Sequence, residues 1–143
     1  MDSEFAKKEI LGIIPARGGS KSIPRKNILK ILNKPLIAWT IEIAKASKLI
    51  DRVIVSTDDS EIAEVSKNYG AEVPFLRSKD LADDNSLTID VVLNILDNLE
   101  DVKDILLLQP TSPLRRDEDL SSIIKFRELC CSDSAVSVCP SEK

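Results

Sequence analysis

ILGIIPARGGSKSIPRKN, residues 10–27, decides how the rest of the chain is read. Its first six residues, Ile10 to Pro15, are apolar, too short for a helix, and lack polar alternation. Such a run fits a strand buried on both faces of a parallel sheet. Directly after it come Arg17, Gly18, Gly19, Ser20, Lys21, Ser22, Arg25, Lys26 and Asn27, polar and basic with no acid among them. In an open parallel sheet, ligands sit at the carboxyl ends of the strands, where this loop would lie.

Working outward, the chain alternates. Pro35 to Leu49 carries Leu36, Ile37, Trp39, Ile41 and Ala44 at helical spacing, with Pro35 at a plausible first helical position. Arg52 to Thr57 is a second β-branched run. Asp58, Asp59 and Ser60 are helix-start residues, and Ile62, Val65 and Tyr69 continue a helix that Gly70 stops. Glu72 to Leu76 reads as a short strand, Leu87 to Leu99 as a helix, Asp104 to Gln109 as a strand, Asp117 to Cys130 as a helix, and Ala135 to Cys139 as a final strand. Strands alternating with helices predict an α/β domain, a three-layer, Rossmann-like, open and mostly parallel sheet.

Composition bounds the chemistry. The 143 residues suffice for one domain that buries roughly 70% of its unfolded surface without disulfide or metal staples. There is no histidine, which excludes Ser-His-Asp and Cys-His nucleophilic machinery, a histidine-ligated zinc and an imidazole base. Twenty basic and 24 acidic side chains give a formal charge of −4, so no global field draws in nucleic acid or an anionic membrane. No apolar run approaches the ~20 residues of a membrane span, and MDSEFAKKEI lacks the apolar core of a signal peptide. Cys130, Cys131 and Cys139 form no C-x-x-C pair and read as reduced, buried thiols of a cytoplasmic protein.

Between Arg17 and Lys26 the loop places four positive charges in a protein of net negative charge. Gly18 and Gly19 remove Cβ atoms where backbone N–H groups would approach phosphate oxygens, and the serines add short donors. These pieces match a triphosphate cradle, although the loop is neither G-x-x-x-x-G-K-[ST] nor G-x-G-x-x-G. A solvated basic turn is the plain alternative.

IPARGGSKSIPRKN resembles the signature of the acylneuraminate cytidylyltransferases, the CMP-sialic acid synthetases. VIVSTDD at 53–59, AEVPFLR at 71–77 and LLLQPTSPLR at 106–115 are similar to that family in the same order. Pseudaminic acid cytidylyltransferases share the first three segments but not QPTSPLR, and 3-deoxy-manno-octulosonate cytidylyltransferases have a different first loop. The resemblance implies a nucleotide-diphospho-sugar transferase-like fold and a cytidylyl transfer. A nine-carbon 2-keto acid sugar attacks CTP, with Mg²⁺ assisting, to give a CMP-sugar and pyrophosphate. It also implies that Arg17 and Lys26 act on the triphosphate as the catalytic pair, with Gly18, Gly19, Ser20 and Lys21 in support. Asn27, Arg77, Ser86 and Thr88 would line the nucleotide pocket, and Gln109 would reach the acceptor sugar. The resemblance thus favours sialic or legionaminic acid over pseudaminic acid, while the motifs do not separate CTP from GTP or sialic from legionaminic acid.

Duller roles stand beside these. Arg77 could pair with Asp80, Ser86 and Thr88 could be helix-start hydroxyls, and Gln109 could satisfy strand-end backbone. Asp58 with Glu61 reads as a capping box rather than a metal or ribose site. Asp117-Glu118-Asp119 has a D-x-D form, but acids in a helix's first turn are favoured by the macrodipole alone, and in the resembling family the metal-binding aspartates lie further downstream. Residues 1–9 are expected to be an extension and 10–143 a nucleotide-binding domain cut off before the sugar-binding, metal-binding and dimerisation parts. The alternative of another class is a nucleotide-binding module without catalysis.

Overall fold

The computed structural model describes residues 9–20, 23–82, 87–100 and 102–140. The apolar opening run forms β1 (Glu9–Pro15), five of whose seven residues are buried, as a strand covered on both faces requires. A two-rung hairpin follows, β2 (Lys30–Ile31) and β3 (Lys34–Pro35), before α1 (Leu36–Ala46). Then come β4 (Arg52–Ser56), α2 (Ser60–Asn68), α3 (Thr88–Leu96), β5 (Val102–Leu107) and α4 (Asp117–Leu129).

The main sheet has the order β4-β1-β5, and both pairings are parallel. Leu11 to Pro15 run alongside Arg52 to Ser56, and Ile10 to Ile13 alongside Asp104 to Leu107. The side chains divide with the period of two that strands impose. Ile10 and Ile14 of β1 and Val53 and Val55 of β4 pack with Ile37 and Ile41 of α1, Ile62 of α2, and Leu120 and Ile124 of α4. Leu11, Ile13 and Ile54 point the other way, onto Val92 and Ile95 of α3. The expected three layers are present.

Connection handedness explains which helix goes where. From β1 through α1 the chain steps to β4, and through α2 it steps one place further out, to the parallel bridge between Glu72 and Ile54. The step through α3 to β5 runs back across β1, and a right-handed crossover in the reversed direction places its helix on the opposite face. β1 is therefore where the order reverses, and open sheets of this kind bind ligands beyond the carboxyl end of the strand at that point.

Several sequence expectations need correction. Glu72–Leu76 contributes only the one bridge at Glu72 rather than a strand. Pro35 is not the first residue of α1; it precedes the helix and pairs with Lys30 in the hairpin, where its missing N–H is tolerated. The hairpin itself was hidden because its turn, Leu32 and Asn33, adopts left-handed φ of 51° and 63°, which an exposed Leu does not advertise. Gly70, at φ 87°, ends α2 as read.

Ala135–Cys139 forms no strand. Val136 and Val138 are 82% and 86% exposed, because no ladder is made to hold one side of the segment against the core. The cysteines share this fate: Cys130, Cys131 and Cys139 are exposed, not buried, since the apolar neighbours that suggested burial, Leu129 among them, face outward too. Among the described residues, no helix is long and apolar enough to cross a membrane.

Ile54→Ala, at a fully buried position between sheet and α3, is expected to cost about 2–5 kcal/mol, read by urea denaturation. Val136→Ser should stay within about 0.5 kcal/mol, as suits an unpaired exposed position.

Candidate nucleotide site

β1 and β4 end side by side at Pro15 and Ser56, and β5 ends at Leu107 opposite Ile13, so the segments that follow the three strands leave from one edge. The Ala16 N–H donates to the Ser56 carbonyl at 2.9 Å, and the Leu108 N–H to the Ile13 carbonyl at 2.8 Å. These bonds carry the sheet's order one residue further on each side. Arg17 and Gly18 leave β1 here, Asp58 and Asp59 leave β4 after the buried Thr57, and Gln109 leaves β5.

The basic loop is fastened to the acidic turn. The Gly18 N–H donates to Asp58 Oδ1 at 2.9 Å. At the loop's other end Arg25 Nη1 donates to Asp59 Oδ2 at 2.5 Å and Nη2 to Oδ1 at 3.3 Å, while Nη2 also reaches Glu61. Arg25 has a left-handed φ of 55° and opens a 3₁₀ turn over Lys26–Ile28. That turn buries Asn27, whose Nδ2 donates to the Arg17 carbonyl at 3.1 Å, closing the loop on itself.

The residue that caps α2 is Asp59, not Asp58. Asp59 Oδ1 accepts the N–H groups of Glu61 and Ile62 at 2.9 and 3.0 Å, which leaves Asp58 free to turn toward the loop. Burial alone would raise the Asp59 carboxyl. The Ile62 N–H and the Arg25 guanidinium outweigh it and hold the group below its ordinary value. Gly18 is required by close approach: a Cβ there would lie 2.7 Å from Asp59 Oδ2. At Gly19 a Cβ would meet nothing within 4 Å, so this glycine opens onto free space.

Arg77 is brought to the same place by a backbone bond, its N–H donating to the Thr57 carbonyl at 2.8 Å. The residue is only 6% exposed, and its buried Nε has no hydrogen-bond partner among the described residues. Its guanidinium is held below the usual arginine range by burial first. Asp58 opposes the shift and the charge of Arg17 adds to it. The acid that opposes the shift at Arg77 is Asp58. A guanidinium stays protonated under such pressure, so the site holds a desolvated cation next to another.

Of the remaining sequence candidates, Ser20 and Lys26 lie half-buried in the loop and Gln109 is exposed at the end of β5. The Gln109 carbonyl accepts from Ser112 N–H at 3.2 Å and Arg115 Nη2 at 3.5 Å. Thr88 is the first residue of α3 and exposed; Leu87 holds the cap position with no side-chain bond, so Thr88 is not the helix's capping hydroxyl. Lys21 and Ser86 lie outside the described residues. Sequence reasoning missed the engagement of Asp58 and Asp59 with the loop. The signal was available: an acidic pair ending one strand faces an acid-free basic loop ending its neighbour.

The chain matches the cytidylyltransferase family over residues 11–128, and it belongs to that family. It is 44% identical over 135 residues to a CMP-N,N'-diacetyllegionaminic acid synthase of Legionella pneumophila, covering 92% of this chain and 58% of that protein. It is 53% identical over 90 residues to a pseudaminic acid cytidylyltransferase of Campylobacter jejuni, covering 63% and 39% of the two chains. To an N-acylneuraminate cytidylyltransferase of Escherichia coli it is 38% identical over 120 residues, covering 84% and 28%. Among solved structures, a CMP:2-keto-3-deoxy-manno-octonic acid synthetase complexed with CTP shares the fold, at a TM-score of 0.74 and 24% identity over 84% of this chain and 47% of that one. The chain thus spans little more than half the length of the first of these relatives, and less of the others.

Transfers of this class commonly use a divalent metal. The described residues do not fit one: no three Asp, Glu or Cys side chains among them gather into a metal-binding group. Asp58 is taken up by Gly18, and Asp59 by Arg25 and the α2 cap. The triplet Asp117, Glu118 and Asp119 sits in the first turn of α4, where Asp119 accepts the Arg116 N–H at 2.9 Å.

Gly18→Ala is expected to cost about 1–3 kcal/mol, because its new methyl collides with Asp59, whereas Gly19→Ala stays within about 0.5 kcal/mol in the same denaturation assay. The pH dependence follows from Asp59. Because its folded value is depressed, its stabilisation is complete above the ordinary carboxylate range and is lost as pH falls through the folded value. The acid limb of a thermal-stability profile should therefore be shallower in Asp59→Asn than in the native sequence.

Proposed function

We propose that this chain is the nucleotide-binding part of a cytidylyltransferase that activates a nonulosonic acid sugar with CTP. The observation that carries the reading is the buried Arg77 guanidinium, whose Nε has no partner among the described residues, close to Arg17 at the carboxyl edge of a parallel sheet. Burying a cation is costly unless an anion accompanies it, and a triphosphate is the anion that an acid-free loop beside it fits.

Arg17 and Lys26 take the triphosphate oxygens. The backbone N–H groups about Gly19 and Ser20, with Lys21, surround them, and the open face at Gly19 lets phosphate come close. Asn27 and Arg77 hold the nucleotide from the loop's far end and from the segment after Thr57, Thr88 closes the pocket from the start of α3, and Ser86, two residues earlier in the sequence, is assigned to the same pocket. Gln109 stands at the end of the adjoining strand, on the side where an acceptor would approach. Transfer joins the acceptor's anomeric oxygen to the α-phosphorus as the bond to the β-phosphate breaks and pyrophosphate leaves. The hydroxyl proton passes to solvent. The cations hold the chain of phosphates in line and neutralise charge that builds on the leaving pyrophosphate.

The acceptor is a nine-carbon 2-keto acid: sialic, legionaminic or pseudaminic acid. Similarity over 92% of the chain to a legionaminic acid synthase supports the second, and the shorter but closer match to a pseudaminic enzyme supports the third. Residues 10–143 form one nucleotide-binding domain, with the acceptor pocket completed elsewhere in the full enzyme.

Calorimetric titration with CTP should show binding that weakens about tenfold or more in Arg17→Ala, the cost of losing a charged hydrogen bond. Thermal shifts with CTP, GTP, ATP and UTP identify the base, since a ligand well above its dissociation constant raises the melting temperature. Pyrophosphate release with each of the three acids then names the acceptor. Absence of CTP and GTP binding by the native chain overturns the reading, and binding without turnover for any acid reduces it to a non-catalytic nucleotide-binding module.

A further inference from the structure

Arg25 is one of the four cations that make the loop basic, yet its guanidinium is engaged by the acids at the start of α2. It forms a fork onto Asp59, at 2.5 and 3.3 Å, and also reaches Glu61. Two carboxylates at the start of α2 occupy its donors, so it presents little to an incoming phosphate. Its backbone does something else. The Arg25 carbonyl accepts from the N–H groups of Ile28 and Leu29 at 3.0 and 3.1 Å, which winds the turn containing Lys26 and Asn27. Asn27 in turn bonds the Arg17 carbonyl. A left-handed φ at a non-glycine residue is a conformation that surrounding contacts must maintain.

We propose that Arg25 is a positioning residue for the nucleotide site: anchored on Asp59, it holds the Lys26–Ile28 turn so that Lys26 and Asn27 close against Arg17, and it does not itself contact the triphosphate. Asp58 and Asp59 then work as a pair. One pins the loop's beginning through Gly18 and the other its end through Arg25, and together they preorganise a basic loop whose cations would otherwise repel each other open. Preorganisation of this kind improves binding by removing an ordering cost, without adding a contact.

The inference rests on the nucleotide reading above, and a double-mutant cycle on CTP affinity separates the two. The variants are Arg25→Ala, Arg25→Lys, Asp59→Asn and the double Arg25→Ala/Asp59→Asn, each titrated calorimetrically with CTP and checked by thermal melting. Asparagine keeps an acceptor for the α2 cap while removing the charge that anchors Arg25. Expected are a loss of about fivefold for Arg25→Ala, a smaller loss for Asp59→Asn, a double variant no weaker than Arg25→Ala alone, and partial rescue by Arg25→Lys.

A direct phosphate ligand behaves differently. Releasing Arg25 from Asp59 would then leave affinity unchanged or raise it, so an Asp59→Asn variant that binds as well as or better than native overturns the proposal. Additive losses in the double variant, or native affinity in Arg25→Ala, overturn it as well. A native chain that ignores CTP sinks the nucleotide reading and this inference with it, whereas tight native binding with an indifferent Arg25→Ala sinks the inference alone.

Discussion

The molecule is organised by an electrostatic fastening at the end of two neighbouring strands. β1 releases a loop with no acid in it, β4 releases two aspartates, and parallel pairing brings the two exits together. A parallel sheet puts every strand's carboxyl end on one edge, so the juxtaposition follows from strand direction and order alone. Without Asp58 and Asp59 the loop would be a run of like charges on a mobile backbone. With them it is tied down at Gly18 and at Arg25.

The site's energetics depend on the same arrangement. Arg77 is carried into a nearly dry position by its backbone bond to Thr57, where one carboxylate, Asp58, faces it and Arg17 adds like charge. The fold tolerates this because the hydrophobic layers on both faces of the sheet are independent of it: Ile13, Ile54 and Ile95 on one side, Ile14, Val55 and Ile41 on the other. A cytidylyltransferase needs its cations ready before the nucleotide arrives, since moving charged groups during transfer would add to the barrier. Membership of that family and the preassembled loop are mutually consistent on this ground.

The hydrophobic runs Ile10–Pro15 and Arg52–Thr57 were legible as buried strands because burial on both faces demands uninterrupted apolar residues, a local property. Helices α1, α2 and α3 were legible from their 3.6-residue stripe and, for α2, from Gly70 as stop. Expectation failed where the element depends on a partner. Glu72–Leu76 and Ala135–Cys139 have strand-like residues, but a strand exists only by pairing, and one makes a single bridge while the other makes none. The same reason misplaced the cysteines: apolar neighbours in sequence mean burial only if that stretch packs.

What the sequence determined by itself is the α/β alternation, the cationic glycine loop at the end of the first strand, and its likeness to cytidylyltransferases, all of which are written in contiguous residues. Tertiary structure alone decided which aspartate caps α2 and which holds Gly18, that Arg25 turns to Asp59 instead of joining the other cations, and that Arg77 stands beside Arg17 from sixty positions away. Those are choices among partners distant in the chain, made by the direction in which each strand delivers its loop, and no local pattern encodes them.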